Sequence, residues 1–183
     1  MKLIFYLLLS LFVSINILNA ESRFGDLTEM RDDRMRGKDN QWVRPHPGPF
    51  VWNNIEKEEG VFSWDKVDKY VTYAQNHNQK TIATIWPYSN WEQKSCKRKK
   101  GRSPFGKKFA KYLSKPCSME NYKKFLLALV DRYDGDGQND MPGLTKPIIY
   151  WEIMNEPEFR MFFKGTEDDF VEIFNFSSKL IKS

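Results

Sequence analysis

Cysteine and histidine are both scarce in this chain, which holds two of each among 183 residues. Two cysteines cannot build a disulfide-dense scaffold, and two histidines far apart in sequence do not form a histidine-rich metal site. Glycine-rich phosphate loops are also missing after the predicted strands, which argues against an open sheet that binds nucleotides. The hydrophobic and aromatic fractions, 40% and 15%, supply enough apolar material for the core of one globular domain.

Long apolar runs are limited to the N-terminus. Lys2 is followed by an apolar stretch over residues 3–13 and a more polar stretch that ends at Ala20. This length is typical of a removable export signal, because a membrane-spanning helix needs about 20 apolar residues. We therefore predict a signal peptide over 1–20 and one mature domain over 21–183. The mature protein is expected to be secreted, periplasmic or at the cell surface, without membrane association. The bulky Leu18 leaves an uncleaved anchor as the alternative.

Positive charge is concentrated in one segment. The net charge is +5, but residues 94–115 contain ten Lys or Arg and no acid, so the rest of the chain sums to −5. Since no nucleic-acid-binding motif accompanies this segment, we predict no nucleic-acid partner. We interpret it as a solvated loop, with recognition of an acidic polysaccharide or anionic surface as the alternative. Cys96 and Cys117 lie near its ends, and in an exported chain they favour a disulfide over two free thiols.

Short apolar segments alternate with amphipathic segments along the chain. The predicted strands are 23–25, 41–44, 81–86 and 147–154. The predicted helices begin after the capping residues Ser63, Ser118 and Thr166, with a further one over 27–36. Strands separated by helices pair in parallel through right-handed crossovers, so the fold class is α/β. This pattern alone does not distinguish a closed barrel from an open sheet.

The clearest chemical signal is a carboxylate placed directly after a predicted strand, in the sequence Asn155-Glu156-Pro157. In parallel α/β folds, ligands and catalytic groups collect at the carboxyl ends of the strands. Because a proline restricts the residue before it, we expect extended backbone at Glu156, with the side chain held at the rim of the sheet. A simple turn glutamate is the alternative interpretation.

This motif resembles the one at the end of the fourth strand in the clan-A glycoside hydrolases, which are retaining enzymes built on a (β/α)8 barrel. The segment 42–45 adds to the resemblance, and the segment 48–65 is similar to the region after the second strand in β-galactosidase-like and xylosidase-like members. The resemblance covers about residues 23–183. It implies an α/β fold that is a partial TIM (β/α)8 barrel, made of about the first four βα units.

The resemblance also implies roles for single residues. Glu156 corresponds to the acid/base, Asn155 to the ligand of the sugar 2-hydroxyl, and Arg44 to an active-site arginine. For Arg44 a structural ion pair is the alternative. Trp86, Trp91 and Trp151 are candidates for stacking on a sugar, with core packing as the alternative. The predicted substrate-binding residues are Asn155, Arg44, Asn54, Trp86 and Trp151. The implied substrate is an oligo- or polysaccharide, and no cofactor is required.

Retaining hydrolysis needs a second carboxyl group at about 5–5.5 Å from the first. In the resembled clan this nucleophile is a glutamate at the end of the seventh strand, and a complete barrel takes about 250 residues. A chain that stops at Ser183 is therefore expected to be the N-terminal half of a barrel, inactive by itself, with open sheet edges that favour self-association. The alternatives are a non-catalytic carbohydrate-binding protein and a calcium-dependent surface module.

A second candidate site is a loop with three acidic residues, Asp134, Asp136 and Asp140. Carboxylates at alternate positions of a glycine-containing loop are typical of calcium sites. The loop lacks the closing glutamate of an EF-hand, so a structural calcium ion and a solvated turn are both open interpretations.

Overall fold

The computed structural model describes residues 25–28, 42–98, 100–101 and 109–182. In chain order the elements are β1 (Gly25–Thr28), β2 (Trp42–Pro45), α1 (Trp52–Ile55), β3 (Glu56–Glu58), β4 (Val61–Phe62), α2 (Asp65–Asn76), β5 (Lys80–Ile85), α3 (Asn90–Ser95), α4 (Met119–Asp131), β6 (Tyr150–Ile153) and α5 (Glu167–Ile181). The predicted signal peptide and residues 29–36 of a predicted helix lie outside the described residues. None of the described helices combines the length and apolarity needed to cross a bilayer.

Four parallel strands form the central sheet, in the order β1-β2-β5-β6. This topology confirms the α/β prediction, and it makes β6, the strand before Asn155, the fourth strand of the sheet. The helix predicted from residue 27 is wrong at its start, because Leu27 and Thr28 belong to β1. There they pair with Arg44 and Pro45 of β2, whose backbone supplies the hydrogen-bonding partners of an extended segment.

Three longer helices follow β2, β5 and β6, and all three lie where the sequence predicts them. Ser118 caps α4 by accepting a hydrogen bond from the backbone N–H of Asn121 at 3.2 Å. Thr166 and Asp169 form a reciprocal capping box at the start of α5, with hydrogen bonds of 3.1 and 3.0 Å. Helix α2 differs slightly, because its N-cap is Trp64 rather than Ser63 and no side chain caps it.

Short elements between β2 and α4 are not revealed by the sequence pattern. Helices α1 and α3 and the β3–β4 hairpin contain only two to six residues per element, which is too few for a hydrophobic period. Contacts to Glu56 stabilise them. Its carboxylate accepts the indole N–H of Trp52 at 2.5 Å and the backbone N–H of Gly60 at 2.7 Å. Its backbone carbonyl accepts the indole N–H of Trp91 in α3 at 3.1 Å.

The face of the sheet that meets the helices forms the core. Alternate residues of the strands, such as Val43, Ala83, Ile85 and Ile153, are at most 9% exposed and pack against helical side chains. Many of the largest fully buried side chains are aromatic: Trp52, Trp86, Tyr88, Tyr122 and Tyr133.

The opposite face of the sheet carries side chains that meet across a strand. Strands β2 and β6 flank β5, so their backbones lie about 9.5 Å apart. The ring centroids of Trp42 on β2 and Tyr150 on β6 are nevertheless only 5.1 Å apart. Contacts across an intervening strand are compatible with the inward curvature of a barrel wall. Leu27 and Tyr150 on this face are 67% and 52% exposed, so the described strands form an open part of a barrel.

A disulfide between Cys96 and Cys117 confirms the predicted pairing, with the two Cα atoms 5.8 Å apart. It joins the C-cap of α3 to the residue before Ser118, the N-cap of α4. Glu92 of α3 adds a second link, because its Oε1 accepts the backbone N–H of Ser118 at 2.6 Å. The start of α4 is therefore fixed by one covalent bond and one hydrogen bond.

Glu92 is an acidic side chain that is only 1% exposed. Burial raises its pKa above the ordinary value of 4.5, while the N–H groups of Cys117 and Ser118 and the charge of Arg98 oppose this shift. Its Oε2 atom has no hydrogen-bond partner within the described part of the chain. The folded chain therefore favours the protonated form of this carboxyl.

We predict that the free energy of unfolding of the double variant Cys96→Ser, Cys117→Ser is about 3 kcal/mol lower than that of the native chain. The cross-link spans a sequence separation of 21 and removes conformations from the unfolded state. Urea unfolding followed by tryptophan fluorescence measures the difference. The native chain should lose stability in a phosphine reductant and the double variant should not. Equal stability of the two proteins without reductant would contradict this prediction.

We predict that Glu92→Gln gains stability relative to the native chain as the pH rises from 4.5 toward neutrality. Because the folded-state pKa is raised, the contribution of Glu92 to stability is fully present below 4.5 and is lost as the pH rises through the folded-state pKa. Glutamine stays neutral and removes this decline.

Urea unfolding at a series of pH values measures the effect of Glu92→Gln. The matched control is Glu120→Gln, an exposed position in the first turn of α4, which should keep the native pH dependence. A Glu92→Gln profile parallel to the native one would rule out a role for this carboxyl.

Candidate active site

Three strands bring polar side chains together at the carboxyl edge of the sheet. Arg44, near the end of β2, donates from Nε to Glu152 Oε2 at 2.8 Å, and its Nη2 lies 2.6 Å from the same oxygen. Nη2 also donates to Asn155 Oδ1 at 2.7 Å. The hydroxyl of Thr84 on β5 donates to Glu152 Oε2 at 2.5 Å. The ion-pair interpretation of Arg44 is therefore confirmed, and the same guanidinium reaches a predicted substrate-binding residue.

Glu156 is exposed in the turn that follows β6. The backbone N–H of Met154 donates to the carbonyl of Ile85 at 3.0 Å, and that of Phe159 donates to the carbonyl of Glu156 at 3.0 Å. Met154 and Glu156 both have left-handed backbone, with φ of 63° and 46°. The extended backbone expected before Pro157 is therefore wrong, because the chain turns sharply here between two fixed hydrogen bonds. Left-handed backbone is uncommon for such side chains and often occurs at functional sites.

His46 joins this group, although the sequence analysis does not select it. Its pKa lies below the ordinary value of 6.5, first because the ring is partly buried and second because of the nearby charge of Arg44. The carboxylates of Glu152 and Glu156 act in the opposite direction. The lowered pKa favours the neutral imidazole near pH 7. The sequence feature that could have identified His46 is its position two residues after Arg44, at the end of a predicted strand.

Trp86 and Trp151, two of the predicted tryptophans, pack against other aromatic side chains. Trp86 is 0% exposed, its indole N–H donates to the carbonyl of Pro47 at 2.8 Å, and its ring meets Phe109 edge to face at 5.0 Å. This burial contradicts the predicted sugar stacking of Trp86, because neither face of the ring is accessible. Trp151 alternates with Glu152 along β6 and packs edge to face on Phe50 at 6.3 Å, which favours core packing.

Asn54 lies half-buried in α1, and its substrate-binding role stays a prediction. The neighbouring Asn53 has a structural role that the sequence does not predict. Its Nδ2 donates to the carbonyl of Phe109 at 3.0 Å, and its Oδ1 accepts the backbone N–H of Asn90 at 3.0 Å. Asn53 therefore joins the loop after β2 to the loop after β5.

The acidic loop between α4 and β6 lies at the opposite edge of the sheet. Ligand oxygens of Asp134, Asp136 and Asp140 all lie within 4.8 Å of one another. Both Asp140 oxygens accept backbone N–H groups, from Gly135 at 3.0 Å and from Gly137 at 2.9 Å. The pKa of Asp134 is raised by burial and further by the neighbouring carboxylates. These contacts fit a solvated turn as well as a cation site, so calcium binding stays a prediction.

Four parallel strands with intervening helices have the fold of a partial (β/α)8 barrel. The chain is similar to a monomeric β-xylosidase from Caulobacter crescentus CB15, with 14% identity and a TM-score of 0.63 over 88% of this chain and 34% of that one. A GH39 β-xylosidase from Caulobacter crescentus has 14% identity and a TM-score of 0.60 over 90% and 38% of the two chains. A glucosidase from Croceicoccus marinus has 15% identity and a TM-score of 0.56 over 78% and 28%.

The chain thus spans about a third of the length of these solved structures. At such low identity the likeness shows the fold alone. No protein-family model and no curated protein matches the sequence.

We predict that calcium raises the melting temperature of the chain and that a chelator reverses the effect. Each kcal/mol of binding free energy should raise the melting temperature by about 2–4 °C. Asp140→Asn removes one charge from the loop and should abolish the response. Asp168→Asn, an exposed position in α5, is the control and should keep it. Identical melting with and without calcium would identify the loop as a solvated turn.

Proposed function

We propose that this chain provides the acid/base half of a retaining glycoside hydrolase site. The observation that carries the proposal is the exposed carboxylate of Glu156 directly after the fourth parallel strand, beside Asn155 and Arg44. The carboxyl edge of parallel strands is the active-site edge of (β/α)8 enzymes. An exposed carboxyl group at this edge can meet a glycosidic oxygen without leaving its turn.

In the proposed reaction, Glu156 donates a proton to the leaving oxygen and later removes a proton from the attacking water. Asn155 binds the sugar 2-hydroxyl. The sugar ring gains positive charge in the transition state. A second carboxylate on the other side of the sugar must stabilise this charge and act as the nucleophile.

Glu152 is not our candidate for that second carboxylate. Its Oε2 is already engaged by Arg44 and Thr84, and a nucleophile must be free to form a bond to carbon. We propose that the nucleophile comes from a segment outside the described residues. The open sheet edges are where such a segment, or a second copy of the chain, would add strands.

The proposed substrate is an oligo- or polysaccharide. Support comes from the solved structures with a similar fold, which include two β-xylosidases and a glucosidase. A non-catalytic carbohydrate-binding protein is the second candidate. It is favoured because Arg44 and Thr84 already engage Glu152, which is therefore not free to act as the second catalytic carboxylate. Export, self-association and calcium binding stay predictions.

We predict that Glu156→Gln lowers kcat/KM for a phenyl β-glycoside by roughly 100- to 10,000-fold, because the leaving oxygen loses its proton donor. The assay uses the natural gene product, with any residues that precede or follow this chain. The loss should be much smaller for a dinitrophenyl glycoside, whose leaving group departs without a proton.

The control variant is Glu158→Gln, which is exposed and only two residues away. It should keep the native rates with both substrates. Equal rates for Glu156→Gln and the native protein would contradict the acid/base role. Sugar binding without turnover in the native protein would instead support the carbohydrate-binding candidate.

A further inference from the structure

Arg44 determines which end of the Asn155 amide is available to a ligand. The Nη2 group of Arg44 lies 2.7 Å from an atom of the amide. A guanidinium can only donate hydrogen bonds, so the atom that faces it must be the carbonyl Oδ1. The Nδ2 group, which carries two donors, is therefore the end of Asn155 that remains to contact a ligand.

Glu152 in turn determines where the guanidinium lies. Its Oε2 receives Nε of Arg44 at 2.8 Å and Nη2 at 2.6 Å, so the planar group is held at two points. Thr84 donates its hydroxyl to the same oxygen at 2.5 Å. Thr84 is 0% exposed and β-branched, which restricts its side chain to few rotamers. One carboxylate oxygen thus ties β5 and β6 to the arginine of β2.

We propose that Glu152 is a positioning residue that acts through Arg44 to make Asn155 present hydrogen-bond donors to its ligand. The ligand group that faces Asn155 must then be an acceptor, such as the oxygen of a sugar hydroxyl. The identity of that ligand rests on the proposed function. The orientation of the amide does not, because it follows from contacts in the ligand-free chain.

The side-chain NH2 signals of Asn155 in a ¹⁵N–¹H spectrum of this chain report the amide orientation directly. Their assignment follows from their loss in Asn155→Asp. Glu152→Gln should shift these signals, because a neutral side chain no longer holds Arg44 against Oδ1. Glu158→Gln should leave them unchanged.

Thr84 provides a second and milder perturbation. Thr84→Val keeps the shape of the side chain but removes the hydroxyl, so the Asn155 signals should move in the same direction by a smaller amount. Thr84→Ser restores the hydroxyl and should return them to the native position. A role limited to packing would predict the reverse, because valine preserves the packing better than serine does.

The inference is overturned if the Asn155 signals stay in place in a folded Glu152→Gln variant. If that variant does not fold, Thr84→Val provides the test, and unchanged Asn155 signals in that variant overturn the inference. Titration with methyl β-xyloside tests the link to function, and Glu152→Gln should bind roughly tenfold more weakly than Glu158→Gln, the equivalent of 1.4 kcal/mol. Shifted Asn155 signals in this chain, together with no sugar binding by the natural gene product, would support the positioning role and contradict the proposed function.

Discussion

The ion pair between Arg44 and Glu152 is the contact on which the polar edge of this sheet depends. It joins β2 to β6 across β5. The side chains of Arg44 and Glu152 are 22% and 35% exposed, so water screens the pair only in part. The pair therefore holds β2 and β6 together on one face of the sheet.

The longer elements of the fold are predictable from sequence because their signals are local. Ser118 and Thr166 mark the starts of α4 and α5, and each makes the capping contact expected of its residue type. The short elements around Glu56 have no such signal. They form because one buried glutamate accepts hydrogen bonds from Trp52 and Gly60, and the sequence does not show that these residues meet.

The candidate site also has one part that the sequence predicts and another part that it does not. The position of Glu156 follows from the strand pattern, because a residue directly after a parallel strand must lie at the carboxyl edge. The left-handed turn there and the contribution of His46 depend on how three strands converge, which no local pattern contains. Trp86 is an example of a site prediction that fails. An aromatic residue at a strand end can fill the core as readily as it can contact a sugar, and Trp86 is fully buried.

The cross-link between Cys96 and Cys117 also has a consequence for how the chain meets proteases. Lys97 and Lys111 are exposed and lie between the two cysteines. A trypsin-like enzyme that cuts after either of them opens the backbone but leaves both fragments covalently attached. The nicked protein would migrate as one band on a gel and separate into two pieces only after reduction. In an oxidising environment, this lysine-rich loop can therefore be cut without releasing the fourth strand from the first three.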